Sequence, residues 1–406
     1  MAPVARRALV WLPTELVCFA TVVIPTCAAC LCDESALALI YAALLVPLYS
    51  EMRSPLHSGS SASAGRLPAL TQLRGAMALQ VAFCILAVDF PLFPRAAAKT
   101  LTFGRSVMDL GVGATVLSGA LTRRRPGSHG EDGSRVSAAR VLVRHSPLLL
   151  AGAGRLLALR ATNYHEVHSE YGLHWNFFFS LAVVDIASRL LEPRSAAACG
   201  VCALVLLVCH QLALLSGLTH YVQHAPRTSF VSANKEGLIS LPGYLALALA
   251  GSAASAPLLS TPGVGARLLL LLAAALWAAA AVADALVQST SRRLCNAAYV
   301  LWVMAQVCLV TSLAMLRGRR ASSVRRSPRV HGYGDSDDTP PPLLDALNRH
   351  PLSVFLLANL LTGGVNLSVD TMGASHGFAA AVLTAYMAIV CAAAVALERR
   401  RRKAHS

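Results

Sequence analysis

Charge is what this chain lacks. Of its 406 residues only 14% are charged, and only 20 are Asp or Glu. A soluble domain carries about a quarter charged residues and needs them to cover its surface. So sparse a supply excludes a water-facing globule of this length and requires that much of the surface face lipid. Metal-ligand spacing is missing too. Eleven cysteines are present, but the C-x-x-C pairs Cys27/Cys30 and Cys199/Cys202 are followed by neither a second pair nor zinc-spaced histidines, which argues against a metal site. Cys18, Cys84, Cys202, Cys209, Cys308 and Cys391 lie inside apolar runs, where free cysteine behaves as a small hydrophobe. Gly111 and Gly113 are not followed by Lys-Ser/Thr, so they form no phosphate loop. No repeat of fixed period is visible. The first apolar run has no clear small-residue cleavage site, and is expected to stay as a span.

What is there is apolar length. The chain is 55% hydrophobic, with a mean hydropathy of +0.57. Runs near 9–31, 35–50, 75–93, 107–121, 138–159, 173–191, 198–217, 238–258, 264–287, 296–316, 351–369 and 376–397 predict about twelve spanning helices. Two of them, 35–50 and 107–121, are short enough to be partly re-entrant. Strands are excluded because open sheet edges have no place in lipid. The expectation is an all-α polytopic bundle, with residues 1–406 forming one integral membrane domain.

The formal net charge of +15 does not point to nucleic acid, and no nucleic-acid partner is expected. The basic residues fall in short runs beside apolar segments: Arg123 to Arg125, Arg317 with Arg319 and Arg320, and Arg399 to Lys403. That is how cytosolic loops look under the positive-inside rule. With the basic tail 398–406 in the cytosol, the N-terminus, 51–74, 122–137 and 317–350 fall on the same side. Residues 317–342, rich in Arg, Ser, Gly and Asp with Pro340 to Pro342 in a row, are expected as a flexible loop, since that composition forms no packed core. The opposite face receives 94–106, 160–172, 218–237 and 288–295, which carry aromatic, amide, histidine and acidic residues near helix ends.

Ionisable groups in or beside spans are costly and mark functional candidates. Asp89 lies at the end of a span, in Ala87-Val88-Asp89-Phe90-Pro91-Leu92-Phe93-Pro94-Arg95-Ala96-Ala97-Ala98-Lys99. On an unbroken helix Asp89 and Lys99 are about 15 Å apart along the axis. Pro91 and Pro94 break it and allow the chain to fold back and bring them together. A structural ion pair at a helix end and a functional pair fit this pattern equally. Asp109, at the start of an apolar run, reads first as a helix-start acid stabilised by the dipole. The segment 163–178 is dense in polar and aromatic groups. His165-Glu166-Val167-His168 is one residue short of the H-E-x-x-H zinc motif, and Tyr171 and Trp175 also suit an interfacial aromatic belt. Further polar clusters are Ser232 to Gly237, Ser291 to Asn296, and Asn359 with Asn366. Asn366-Leu367-Ser368 is formally a sequon, but at a helix end it is not an accessible acceptor.

Several of these strings resemble the glucosaminyl-phosphatidylinositol acyltransferase family. They are Ala87 to Lys99, Met108-Asp109-Leu110-Gly111-Val112-Gly113, Glu170-Tyr171-Gly172-Leu173-His174-Trp175-Asn176-Phe177-Phe178, and Ser232-Ala233-Asn234-Lys235-Glu236-Gly237. Also matching are Ser291-Arg292-Arg293 with Asn296, Tyr299-Val300-Leu301-Trp302, and Leu356 to Asn366. The matches run in family order from about residue 74 to 369. The N-terminus looks short against the family, Val167 stands where a histidine is expected, and Ala297-Ala298 replaces Leu-Pro. The family has one span more than the apolar runs give, hence 12 to 13.

The resemblance implies that a fatty acyl group, palmitoyl, moves from acyl-CoA to an inositol hydroxyl of glucosaminyl-phosphatidylinositol during GPI-anchor synthesis in the endoplasmic reticulum membrane. Acyl-CoA is a co-substrate, and no metal or other cofactor is implied. The hydroxyl needs a base and the thioester carbonyl a donor or cation for its developing charge. On that reading Asp89 is the general base and Lys99 its electrostatic partner, with His174 the competing base. Substrate-binding candidates are Arg95, Asp109, Glu170, His174, Trp175, Asn176, Asn234, Arg293, Asn296, Asn359 and Asn366. The rival readings are a multi-span transporter, which uses broken helices and intramembrane charge equally well, and a non-catalytic subunit of a GPI-synthesis complex.

Overall fold

The computed structural model describes residues 68–123, 138–162, 169–191, 193, 195–254, 262–324 and 343–404. All regular structure among them is helical. The first helices are α1 (Pro68–Ala87), α2 (Val107–Leu121), α3 (Ala138–Thr162) and α4 (Phe177–Leu191). Helix α5 (Ala196–Ala213) passes through a π-helical segment, Leu214–Leu218, into α6 (Thr219–His224). Then come α7 (Phe230–Ala233), α8 (Lys235–Ala254), α9 (Pro262–Leu286) and α10 (Ala297–Val324). The last are α11 (Leu343–Arg349), α12 (Pro351–Ser368) and α13 (His376–Lys403).

Among the described residues, seven helices are long and apolar enough to cross a bilayer: 69–87, the continuous α5–α6 segment 196–224, α8, 265–286, 297–315, α12 and α13. The expected 12 to 13 spans are therefore not established. The candidates 9–31 and 35–50 lie outside the described residues. Helices α2 and α4 are 15 residues long, about 22 Å, against a hydrocarbon core of about 30 Å. Helix α3 carries Arg140, Arg144 and Arg155 within its length. Other boundaries shift as well. Helix α1 starts before the expected residue 75 and stops at Ala87 rather than near 93. Helix α10 continues to Val324, into the stretch expected as a loop from 317, and α13 takes the basic tail into its last turn. Residues 325–342 lie outside the described set. The spanning helices show apolar side chains outward, such as Val201, Leu204 and Val205 on α5, Leu268 and Leu271 on α9, and Leu360 and Leu367 on α12. Such faces suit lipid rather than water.

The chain divides into two compact units, Met1–Lys99 with Ser106–Gly111 and Val310–Ser406, and Thr100–Arg105 with Val112–Leu309. In the first, α1 packs on α11 and α12, and α13 packs on all three. Its core includes Leu86, Phe90, Leu347, Ala358, Leu383 and Tyr386. The Tyr386 hydroxyl donates to the Ala82 carbonyl at 2.7 Å and approaches that of Ala358 at 3.4 Å, so one buried phenol ties three helices. Gly75 lets α11 lie against α1, because a Cβ there would stand 2.3 Å from the Leu344 carbonyl oxygen.

In the second unit α8 is the central element, packed on α4, α5, α6 and α7. Gly243, Tyr244, Ala246, Leu247, Ala248, Leu249 and Gly251 are all buried on it, the signature of a helix surrounded by protein. Small residues allow close backbone approach: a Cβ on Gly243 would lie 2.1 Å from the Cys295 carbonyl oxygen. Asp185 on α4 collects three basic partners. Arg123 and His145 bond to its carboxylate, and Arg189 donates to it at 2.8 Å. Arg123 also reaches Ser188 Oγ at 2.6 Å. Removing one member of a buried ion network leaves the others unpaired, at a cost of several kcal/mol. Asp185→Ala should lower stability by about 3 kcal/mol, seen as a lower thermal midpoint of the purified chain, whereas Asp185→Asn, which keeps one acceptor, should lose less. An unchanged midpoint in the alanine variant would remove this network from the fold's supports.

Candidate active site

The sequence-predicted residues divide between the two units. In the first, α1 gives way after Ala87 to a run of tight turns, with Asp89 N bonding Leu86 O and Phe90 N bonding Ala87 O, both at 3.1 Å. Pro91 has no N–H with which to continue the helical ladder. Phe90 and Phe93 are buried in the unit's core, which anchors the turn on both sides of Pro91. The chain then folds back, as the prolines require. Arg95, in the single 3-10 turn Arg95–Ala97, donates to the Val88 carbonyl at 2.7 Å and the Phe90 carbonyl at 3.2 Å. Those are the residues on either side of Asp89.

Helix α12 supplies the direct partner of the carboxylate. Asn366 Nδ2 donates to Asp89 Oδ2 at 2.9 Å. Burial pushes the Asp89 carboxyl above the usual aspartate range, and the Asn366 hydrogen bond, the Arg95 charge and the Lys99 charge act in the opposite sense. Lys99 is exposed and still close enough for its charge to be felt at Asp89. The turn thus gathers a half-buried carboxyl, an amide and two cations.

Asp109 and Asn359 serve their own helices. Ser106 opens α2: its Oγ accepts from Asp109 N at 3.2 Å and donates to the Asp109 carboxylate at 2.9 Å, a reciprocal cap. Asn359 Nδ2 donates to Phe355 O one turn earlier at 2.7 Å.

In the second unit the segments 169–176 and 229–237 interlock. Leu173 N bonds Ala233 O and Gly237 N bonds Tyr171 O, both at 3.0 Å, and Asn234 Oδ1 accepts from His174 N at 2.7 Å. Gly172 has φ +116°, and a Cβ there would stand 2.5 Å from the Asn234 Cα, so only glycine fits. The Trp175 ring lies against Gly237, where a Cβ would meet it at 2.3 Å, and Trp175 Nε1 donates to Ser180 Oγ at 2.9 Å. Asn176 caps α4 by accepting from Phe178 N and Phe179 N at 3.0 and 3.3 Å. Asn296 caps α10 by accepting from Tyr299 N at 3.2 Å, and holds the preceding loop by accepting from Ser291 N at 3.1 Å. The His174 side chain is exposed. His165, Glu166 and His168 lie outside the described residues.

The strongest electrostatic feature here was not singled out from the sequence. Glu236, only 1% exposed, takes a two-pronged contact from Arg227, with NH2 to Oε1 at 2.6 Å and NH1 to Oε2 at 3.0 Å. Arg293 NH2 stands 3.5 Å from the same carboxylate, and its NH1 donates to Leu101 O at 2.6 Å. Burial pulls the Arg293 guanidinium below its usual range, with the Glu236 charge acting against that. Glu170 lies 3.8 Å from the buried Arg292. The Lys235 ammonium bonds the Ala225 carbonyl. Burial holds the Tyr171 hydroxyl up at about 12, with the Arg292 charge pulling the other way. Cys295, in the loop between Arg293 and α10, has φ 47°, a left-handed conformation that costs a residue with a side chain. Glu236 was in view as part of a motif, but Arg227 stands nine positions earlier, across the capped turn Ser229–Ser232, where no fixed spacing connects them.

Comparison with known proteins gives the family. A family model described as GWT1 matches residues 4–397. The GPI-anchored wall transfer protein 1 of Gibberella zeae is 36% identical over 392 residues, covering 85% of this chain and 76% of that protein. The protein of the same name from Schizosaccharomyces pombe is 35% identical over 341 residues, covering 80% and 71%. The phosphatidylinositol-glycan biosynthesis class W protein of Dictyostelium discoideum is 29% identical over 411 residues, covering 87% and 80%. The chain therefore belongs to the GWT1 family, the inositol acyltransferases of GPI-anchor biosynthesis that its motifs resemble.

Proposed function

We propose that this chain transfers a palmitoyl group from its CoA thioester to an inositol hydroxyl of glucosaminyl-phosphatidylinositol, in the endoplasmic reticulum membrane and with its C-terminus in the cytosol. The observation that carries the reading is the Asp89 carboxyl, half-buried at a helix end, held by Asn366 at 2.9 Å and surrounded by the charges of Arg95 and Lys99. A base poised above the usual carboxylate range is better matched to an alcohol at neutral pH.

In the proposed step Asp89 takes the proton of the inositol hydroxyl as its oxygen bonds to the thioester carbonyl carbon. The carbonyl oxygen becomes an oxyanion, which the Lys99 ammonium stabilises. The C–S bond then breaks, the carbonyl re-forms as the inositol ester, and the sulfur takes up the proton and leaves as the CoA thiol. Asn366 fixes which Asp89 oxygen faces the hydroxyl. Arg95 holds the turn by its bonds to Val88 O and Phe90 O.

Asp89→Asn and Lys99→Ala should each lower kcat by about a hundredfold or more in reconstituted protein that still inserts in the membrane. Full activity in Asp89→Asn together with loss in His174→Gln would move the base to His174. The same substitution carries a stability signature. Below the ordinary aspartate range both folded and unfolded chains hold the proton. As pH rises above that range the unfolded chain releases it first, so stability falls until Asp89 also ionises in the folded chain, and stays lowered above that. At neutral pH Asp89→Asn should therefore keep or raise the thermal midpoint while activity is lost; a lowered midpoint contradicts the burial argument. Because the Asn366 hydrogen bond lowers the Asp89 value, Asn366→Leu should move the acid limb of the pH–rate profile to higher pH. An unmoved limb separates Asn366 from the base.

A further inference from the structure

We propose that the Tyr386 hydroxyl is a positioning group for the Asp89–Asn366 pair: by tying α1 to α12 it sets the distance at which the Asn366 amide meets the Asp89 carboxylate. The inference rests on the acyltransfer reading, in which Asp89 is the base, and it assigns Tyr386 no contact with substrate. All the residues it uses lie in one compact unit.

The two partners come from different elements and are held unequally. Asp89 sits in the turn after α1, between the buried end of that helix, Leu86 and Ala87, and the buried Phe90. Helix α12 is held less firmly. Its buried side chains are Val354 and Ala358, both two turns or more before Asn366. Beyond Ala358 its hydrophobic contacts with the core are the partly buried Leu361 and Val365. Asn366 stands eight residues past Ala358, about 12 Å along the axis. On that arm, a tilt of α12 by about 5° about Ala358 moves Asn366 by about 1 Å. The bond from Asn366 Nδ2 to Asp89 Oδ2 is 2.9 Å long. It does not survive such a change, because N–H···O bonds span only about 2.7–3.2 Å.

Tyr386 sits at the fulcrum. Its ring is buried in the core with Leu383 and Val390 of α13. Its hydroxyl donates to Ala82 O on α1 at 2.7 Å and approaches Ala358 O on α12 at 3.4 Å. Ala82 lies five residues before the end of α1, and Ala358 is the last buried residue of α12. Apolar packing is non-directional, whereas a hydrogen bond fixes length and direction. Phenylalanine would fill the same space in the core; what the hydroxyl adds is the spacing of the two helices. That spacing reaches the chemistry through Asn366. The Asn366 bond lowers the Asp89 value, together with the charges of Arg95 and Lys99, against the effect of burial. A bond lengthened by tilt leaves burial less opposed, and the value rises.

The test is the pH–rate profile of the full chain in nanodiscs for wild type, Tyr386→Phe, Asn366→Leu and the double variant. Tyr386→Phe should move the acid limb to higher pH, in the same direction as Asn366→Leu. It should also lower the plateau kcat by about threefold to tenfold, the effect of one hydrogen bond, with KM for both substrates unchanged. In the double variant Tyr386→Phe should add nothing to Asn366→Leu, because both act through one bond. A tyrosine that served only the core would lower the thermal midpoint and leave the limb in place. An unmoved limb in folded Tyr386→Phe, or full additivity of the two substitutions, overturns the proposal. Should Tyr386→Phe fail to fold, Tyr386→Met, which also fills the space without an oxygen, is read in the same way. Failure of both to fold makes Tyr386 a support of the fold alone and overturns the proposal. If wild type transfers no acyl group, the function reading fails by itself. The positioning is then read from the pH dependence of Asp89 modification by a water-soluble carbodiimide and a glycine ester, followed by mass spectrometry. A midpoint raised in Tyr386→Phe supports it, and an unchanged midpoint overturns it.

Discussion

Every backbone polar group that enters lipid must find its partner within the protein. A helix interior meets that demand by itself, and a helix end does not, because its first N–H groups have no carbonyl to bond. In this chain side chains supply what is missing. Ser106, Asn176, Ser195, Asn296 and Ser375 each accept from a backbone N–H at the start of a helix. The capping requirement therefore concentrates polar residues at the ends of apolar helices, and the same ends carry the groups able to do chemistry.

Two kinds of polar residue live at these ends, and geometry tells them apart. Asn176 and Asn296 spend their side-chain oxygens on helix starts. Asp109 is engaged with its own cap. Asp89 differs: among the described residues no helix is capped by it, its hydrogen bond comes from Asn366 on α12, and burial works against its charge. Glu236 differs again. It is as buried as any core residue and retains two guanidinium partners in place of one. Buried charge is rarely the most stable solution for a core, so a carboxylate in this position depends on its partners staying in place.

Glycine plays a related part wherever backbones cross. Gly75, Gly172, Gly237 and Gly243 each stand where a Cβ would meet a neighbour closer than 3 Å. In the second unit, Gly172 and Gly237 let the loop with His174 and Trp175 lie directly against the Asn234 segment. The polar strings at 170–176 and 232–237 are thus one structure, although sixty residues separate them in the chain.

Hydropathy alone determined that the chain is helical and membrane-spanning, because twenty consecutive apolar residues have few other fates. Proline chemistry alone determined that the helix before Asp89 must end and the chain turn back. The motif strings identified the family. Span number was not legible in the same way: the apolar run 173–191 gives a helix of only 15 residues, Phe177–Leu191, because Asn176 caps it there, and the run's ends do not show where a cap will fall. The partner of Asp89 was also hidden: Asn366 is 277 positions away, and only the packing of α12 on α1 brings it there. The Arg227–Glu236–Arg293 cluster was hidden for the same reason. Local sequence records the cost of each charge, but which charges share that cost is decided by how helices and loops distant in the chain come to lie side by side.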